Sequence, residues 1–524
     1  MLKKKIYAWH RRLSLLIAIP VILSAASGLM HPIMTNIRPA VATQGLNAIA
    51  INADKIQMPL ETALLQNGVD SFHSVRLVHI DTNWFYQVQR TEESVPKYFS
   101  TETGKALPQG DWLYAQYLAR QFLEGQESKH VAKNATKSVE QSNTAELPDC
   151  CSAAYKTVRN AKGAPIASVR DVTHFDEEYT NINRLLPVYK VQFDRSDGIR
   201  IYVETTQDRF AFAMDNRRAR FNKIFQFVHA WSWLDFLGKG RLVFEFLLYG
   251  LAFVTSILGV YIFFATRSKK VPGNNYVKSR RTHRYTAITA SLFTLMFTFS
   301  GSYHAIYKLK EDDRNQYFSR ECFATTDIHF DLSTLQKSIE KPIANIGMVR
   351  MDGHNYWCIT TTPIYNPKSN HKDLMKDARS VLPETIYIDI STNTLLPNGE
   401  ARYAAYLATL FSGNAASQVK SVEPITRFNN EYNFTDKRLP VWKVTFSNTN
   451  TLYFIETSTS RLSVKVDKTD LIEGYSFALL HKHEFLGWAG KSVKDFSTMF
   501  WAAAQIVMVT IGLMLYFKWR KRQQ

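Results

Sequence analysis

Cysteine is scarce in this chain, four residues in 524, and none stands in a Cys-X-X-Cys spacing. That absence excludes the attachment motif of a c-type haem and a thioredoxin-like dithiol. Of Cys150, Cys151, Cys322 and Cys358, the adjacent first pair is badly placed to bridge itself, and a Cys322–Cys358 bridge is one option that the sequence leaves open. Acidic residues are missing from three short basic segments. Residues 1–12 carry Lys3, Lys4, Lys5, Arg11 and Arg12. Residues 266–284 carry Arg267, Lys269, Lys270, Lys278, Arg280, Arg281 and Arg284, and the C-terminal tail carries Lys518, Arg520, Lys521 and Arg522. The rest of the chain nearly balances its 46 acidic residues, so the net charge of +18 is local. It therefore does not describe the broad basic face of a nucleic-acid-binding protein.

Each basic segment flanks an apolar run. The runs 13–30, 242–265, 285–307 and 499–517 are each close to the ~20 residues that a helix needs to cross the hydrocarbon core. Short basic segments stay in the cytoplasm. Four crossings then put both termini and the 266–284 loop inside, and residues 33–240 and 308–494 outside. The first run also reads as a cleavable signal peptide, with Ala25-Ala26-Ser27 as the cleavage site. Its length, and the return of its pattern in the third run, favour a retained helix.

The chain repeats itself. Glu178-Tyr179 and Leu186-Pro187-Val188-Tyr189-Lys190-Val191 return as Glu431-Tyr432 and Leu439-Pro440-Val441-Trp442-Lys443-Val444, at an offset of 253 residues. One deletion later, Glu204, Arg209, Asp215 and His229 align with Glu456, Arg461, Asp467 and His481. Upstream, Leu107-Pro108-Gln109-Gly110 matches Leu396-Pro397-Asn398-Gly399. Gly28 and His31 close the first apolar run as Gly301 and His304 close the third. Both halves read helix, outer domain, helix. The outer domains alternate strand-like runs (188–193, 198–206, 441–446, 451–462) with helical stretches at 111–123 and 401–411, which predicts α+β domains. The polar stretch 127–145 reads as an insertion in the first half.

Histidine carries the chemistry. Six of the 14 histidines form repeat-related pairs: His10/His283, His31/His304 and His229/His481. The 21 residues between His10 and His31, and between His283 and His304, span about 30 Å at ~1.5 Å per residue. Each helix thus offers one imidazole near either membrane surface. Imidazole at membrane depth is a functional hypothesis by default and is an axial ligand of haem iron. Isolated interfacial histidines would merely sit among headgroups, a reading that three matched pairs make less attractive. Zinc would want tighter clusters. His481-Lys482-His483-Glu484 could hold a metal, but His229-Ala230-Trp231 breaks that pattern in the other half, so His481 ranks above His483. His73, His79, His130, His174, His329, His354 and His371 have no repeat partner and read as surface or structural.

These residues carry a family resemblance. Trp9-His10-Arg11-Arg12, the run Leu480-His481, Glu484, Phe485, Gly487 and Gly490, and the strands beginning Leu186-Pro187 and Leu439-Pro440 resemble the PepSY-associated transmembrane proteins over essentially the whole chain. Val228-His229 with Gly238 and Arg241 is a weaker copy that lacks the Glu. The resemblance implies a bacterial inner-membrane protein, with spanning helices at 1–33, 241–265, 285–308 and 497–518. It places PepSY-like periplasmic domains at 34–240 and 309–496, a cytoplasmic loop at 266–284 and a cytoplasmic tail at 519–524. It further implies iron: two b-type haems held by His31, His229, His304, His481, His10 and His283, and reduction of a ferric siderophore. The cytoplasmic segments are too short for a flavin or nicotinamide domain and contain no GxGxxG, so electrons would come from membrane quinol or a separate reductase. The rival expectation is a non-enzymatic PepSY module that binds a peptide, peptidase or transporter partner. Reporter fusions after Asn274 and at the C-terminus should report the cytoplasm, and fusions near Lys133 or Asn370 the periplasm. A periplasmic signal at Asn274 would overturn the topology.

Overall fold

The computed structural model describes residues 2–92, 94–125, 149–159, 163–268, 271–310, 317–337, 339–362 and 383–521. The expected insertion at 127–145, with His130, and also His371, lie outside the described residues. The described helices, in chain order, are α1 (Leu2–Asn36), α2 (Leu60–Leu65), α3 (Gly110–Glu124), α4 (Asp149–Arg159), α5 (Asn216–His229) and α6 (Lys239–Ala265). They continue with α7 (Asn275–Tyr307), α8 (Leu332–Lys337), α9 (Gly399–Ser412), α10 (Lys468–Ser476) and α11 (Lys491–Lys521). The chain divides into a helical unit (Met1–Arg38, Arg217–Asp312, Asp467–Gln524) and a strand unit (Pro39–Asn216, Asp313–Val466).

In the helical unit α1, α6 and α11 are long and apolar enough to cross a membrane. A helix suits that solvent because it satisfies its own backbone hydrogen bonds. This is the composition of a membrane protein. Helix α7, which covers the run 285–307, is continuous over 33 residues but richer in hydroxyls. Thr286, Thr289, Thr294 and Thr298 each bond back to a carbonyl of the preceding turn, which hides that polarity inside the helix. It starts ten residues before the apolar run, because the Asn274 side chain accepts the Tyr276 and Val277 amides, both at 3.1 Å. Part of the basic segment 266–284 is therefore helical. The repeat-related α1 and α7 each pack against both α6 and α11. Glycine permits the closest approaches: a Cβ on Gly28 would lie 3.3 Å from Ala502 of α11, and one on Gly301 would lie 3.5 Å from Tyr249 of α6.

In the strand unit each half contributes one three-stranded and one four-stranded antiparallel sheet. The first half gives β2 (Ser74–Ile80), β3 (Asn83–Gln89) and β4 (Lys97–Ser100), then β5 (Ile166–Val172), β6 (Val188–Phe193), β7 (Arg200–Glu204) and β8 (Arg209–Met214). The second gives β10 (Ile343–Met351), β11 (His354–Thr361) and β12 (Thr385–Asp389), then β13 (Val419–Ile425), β14 (Val441–Phe446), β15 (Leu452–Glu456) and β16 (Arg461–Val466). The run 451–462, read as one strand, divides into β15 and the start of β16 around a turn. Two short strands, β1 (Ser71–Phe72) and β9 (Phe323–Ala324), pair across the halves. Around them Leu64, Phe72 and Tyr86 share one core with Phe323, Ile346 and Trp357. The two intervening segments therefore form one compact body.

The repeated Leu-Pro-X-Gly motifs acquire a structural reason. Gln109 and Asn398 adopt left-handed conformations, both with φ 53°, so that Gly110 and Gly399 can open α3 and α9 against an aromatic ring. A Cβ on either would stand 2.7 or 2.5 Å from Tyr98 or Tyr387. The ion pairs Lys190–Glu178 (2.8 Å) and Lys443–Glu431 (2.6 Å) also repeat. A Cys322–Cys358 disulfide is not formed: both thiols are free, and Cys151 is buried. Cys358 sits within β11, where burial pushes its thiol up to about 12.

Four charges from both halves meet in the interior of this unit. Arg438 bonds Glu456 at 2.7 Å, Arg209 bonds Glu204 at 3.0 Å, and Arg209 also bonds Glu456 across the repeat. Burial alone would raise the Glu456 carboxyl, but Arg209 and Arg438 draw it down to about 2. A depressed carboxylate stabilises the fold above its unfolded value of ~4.3, and that contribution is lost as pH falls through the folded value. Stability of the strand unit should therefore decline between about pH 4 and pH 2. Glu456→Gln should cost ~3 kcal/mol or more at neutral pH, because it leaves two buried guanidiniums facing one carboxylate. A thermal unfolding midpoint equal to the parent's at pH 7 would contradict this.

Candidate functional site

Helices α1 and α7 set the site. Each carries two of the paired histidines 21 residues apart, His10 and His31 on α1, His283 and His304 on α7. Helix α5 ends on His229. Helix α10 runs instead into a five-residue π-helical turn, Phe477–His481, which ends on His481. Such turns recur at functional sites.

The four histidines expected at the outer surface come together. His31 lies 5.9 Å from Phe225 between ring centroids, and Phe225 stacks on His229 at 4.7 Å. In the other half His304 stacks on Phe477 at 4.9 Å, and Phe477 on His481 at 5.0 Å. His229 and His481 then meet at 6.3 Å. The result is a chain of six rings with matching order in both halves. The sequence pairs His31 with His304 and His229 with His481 by repeat. In the structure a phenylalanine adjoins both histidines within each half, and the direct imidazole contact is His229–His481.

The second nitrogen of several rings is already held. His229 Nδ1 meets Ser27 Oγ at 2.7 Å. His304 Nδ1 bonds the Glu473 carboxylate, and His10 Nδ1 meets the Thr255 carbonyl at 3.1 Å. A metal-ligating imidazole typically has this arrangement, one nitrogen free for the metal and the other fixed by an oxygen. His283 meets the Met508 carbonyl, 253 residues on from the Thr255 that His10 meets, and His481 is partly buried.

His10 and His283 line one cavity of about 300 Å³ at the other end of the helical unit, a volume at the lower end of small-molecule pockets. Each ring lies against a glycine. A Cβ on Gly259 would stand 3.3 Å from His10 Cε1, and one on Gly512 would stand 3.1 Å from His283 Cε1. Those glycines are 253 residues apart, the repeat offset. Arg11, Arg280 and Arg284 also line the cavity.

His483 adjoins this group through Phe297, which lies 5.6 Å from His481. It bonds Ser497 at 3.0 Å and packs on Phe293 and Phe297, each at 5.2 Å. Trp231 fills the matching place in the first half; both residues are buried and left-handed, with φ 48° and 53°. In the strand unit His73 is buried between Glu92 and the Glu321 carbonyl, His79 rests on Trp84 and Tyr117, and His354 is exposed. Sequence reading missed Ser27, Glu473, Phe225, Phe477 and the two glycines. The repeat offset could have found the phenylalanines and glycines; the polar partners are contacts between helices, which no spacing encodes.

Among the described residues no three His, Cys, Asp or Glu side chains converge to hold a bare metal ion. A macrocycle-bound iron needs only one or two axial imidazoles, and the oxygen-fixed, repeat-paired rings fit that demand. No family model matches the chain, and no curated protein matches it.

Proposed function

We propose that this chain is a haem-b oxidoreductase of the PepSY-associated transmembrane kind, which passes electrons across the bacterial inner membrane to a ferric siderophore in the periplasm. The observation that carries this reading is the placing of six repeat-paired histidines: four in one ring chain, two at a cavity at the opposite end. In this reading α7 is the fourth span, the basic segments face the cytoplasm, and the strand unit is periplasmic and PepSY-like.

His10 and His283 would hold one haem, and two of His31, His229, His304 and His481 would hold another. Bound there, haem supplies a one-electron iron couple. Ser27 and Glu473 fix ring orientation through Nδ1, and Thr255 does the same for His10. Arg11, Arg280 and Arg284 suit the carboxylates of a macrocycle. Helices α1 and α7 connect the two ends over about 30 Å, too far for one efficient hop, so each end needs its own ligands. The donor in this reading is membrane quinol or a separate reductase. Reduction releases iron because the softer iron(II) is held less firmly by oxygen-rich chelators. A non-enzymatic module would leave the paired imidazoles without a purpose.

Protein purified from haem-sufficient cells should be red, with a Soret band and low-spin b-type features. Alanine variants of His31, His229, His304 and His481 test the assignment, with haem counted per polypeptide. Loss of haem or conversion to high spin is expected for the ligands among them. Retention of the full low-spin spectrum by all four, together with its loss in His73→Ala or His174→Ala, would overturn it.

A further inference from the structure

The two halves of the ring chain differ in an acid that bonds one imidazole directly. His304 Nδ1 bonds the carboxylate of Glu473 on α10, and Glu473 is largely buried, with 14% of its side chain exposed. The neighbouring acid, Asp470, is engaged elsewhere, taking the Tyr307 hydroxyl and Lys310. Glu473 accepts its hydrogen bond from the imidazole, with Lys308 and Lys482 also within its field. At the matching place in the first half, 252 residues earlier, stands Phe221, which has no acceptor to offer. His229 has a neutral hydroxyl, Ser27, on its Nδ1, and His10 a neutral carbonyl. His304 is therefore the one ring of these three whose Nδ1 faces an anion.

A carboxylate accepts and does not donate, so Nδ1 of His304 carries the proton and Nε2 keeps its lone pair. An anionic acceptor on the far nitrogen raises the basicity of the ligating one. A more basic axial imidazole stabilises iron(III) over iron(II) and lowers the potential of the iron it binds. We propose that Glu473 is a positioning residue that fixes His304 in its Nδ1–H tautomer and makes the iron bound through His304 the most reducing in the chain. This rests on the haem reading above. It suits the proposed substrate, since a chelator that grips iron(III) tightly makes the ferric chelate hard to reduce. One electron passes to the chelate, its iron(III) becoming iron(II), and the quinol or reductase donor replaces it.

The test is an optically monitored redox titration of the full-length purified protein, with parent, Glu473→Gln, Glu473→Asp and Ser27→Ala compared. Glu473→Gln should keep its low-spin haem while its lowest midpoint potential rises and the other stays put. Glu473→Asp should lie nearer the parent, and Ser27→Ala should not reproduce the rise. Unchanged midpoints in Glu473→Gln with full haem content would overturn the proposal. Should Glu473→Gln lose haem, Glu473→Ala decides: a rise in only the lowest midpoint supports the role, and parental midpoints refute it. A parent protein without haem would instead refute the proposed function, so the two failures are distinguishable.

Discussion

The helical unit depends on close packing between helices of opposite halves. Helix α1 lies against α11 where Gly28 meets Ala502, and α7 lies against α6 where Gly301 meets Tyr249. Without a driving force from water, helices in lipid associate where small residues let backbones approach. That packing brings a histidine-bearing helix of one half beside the following helix of the other. It also lets the ends of α5 and α10 meet at His229 and His481. The same principle acts at the opposite end, where Gly259 and Gly512 leave room for the rings of His10 and His283. Duplication supplies the parts twice, and cross-half packing assembles them once.

The strand unit uses duplication differently. Its halves join through a small shared β1–β9 ladder, a common apolar core and the buried quartet Glu204, Arg209, Arg438 and Glu456. Glu204 and Glu456 are repeat partners, but Arg438 stands where the first half has Leu185. Such departures from the repeat mark places where the two copies contact each other instead of performing the same task. Glu473 against Phe221 is the counterpart in the helical unit, and under the proposed function it makes the halves electronically unequal.

Much of this was legible in the sequence because it depends on periodicity. Three apolar helices, the strand pairs at Val188–Phe193 and Val441–Phe446, and helices at 111–123 and 401–411 follow from apolar runs, alternation and turn residues. The grouping of His31, His229, His304 and His481 followed from the repeat. The start of α7 was missed because a single cap, Asn274, outweighed hydropathy. The joined three-stranded sheets were missed because β1 and β9 are two residues each and pair over 250 residues. Whether Cys322 and Cys358 bridge was not legible because sequence carries no Cα separation. The hydrogen bonds of Ser27 and Glu473 were hidden because their partners are remote in sequence.

The central claim is that the paired imidazoles hold haem. Pyridine haemochrome quantification on the purified, full-length chain tests it most directly. The account predicts protohaem at about two per polypeptide, extractable by acid acetone because no Cys-X-X-Cys exists to bind it covalently. A colourless protein from haem-sufficient cells that also takes up no haem on reconstitution would contradict it.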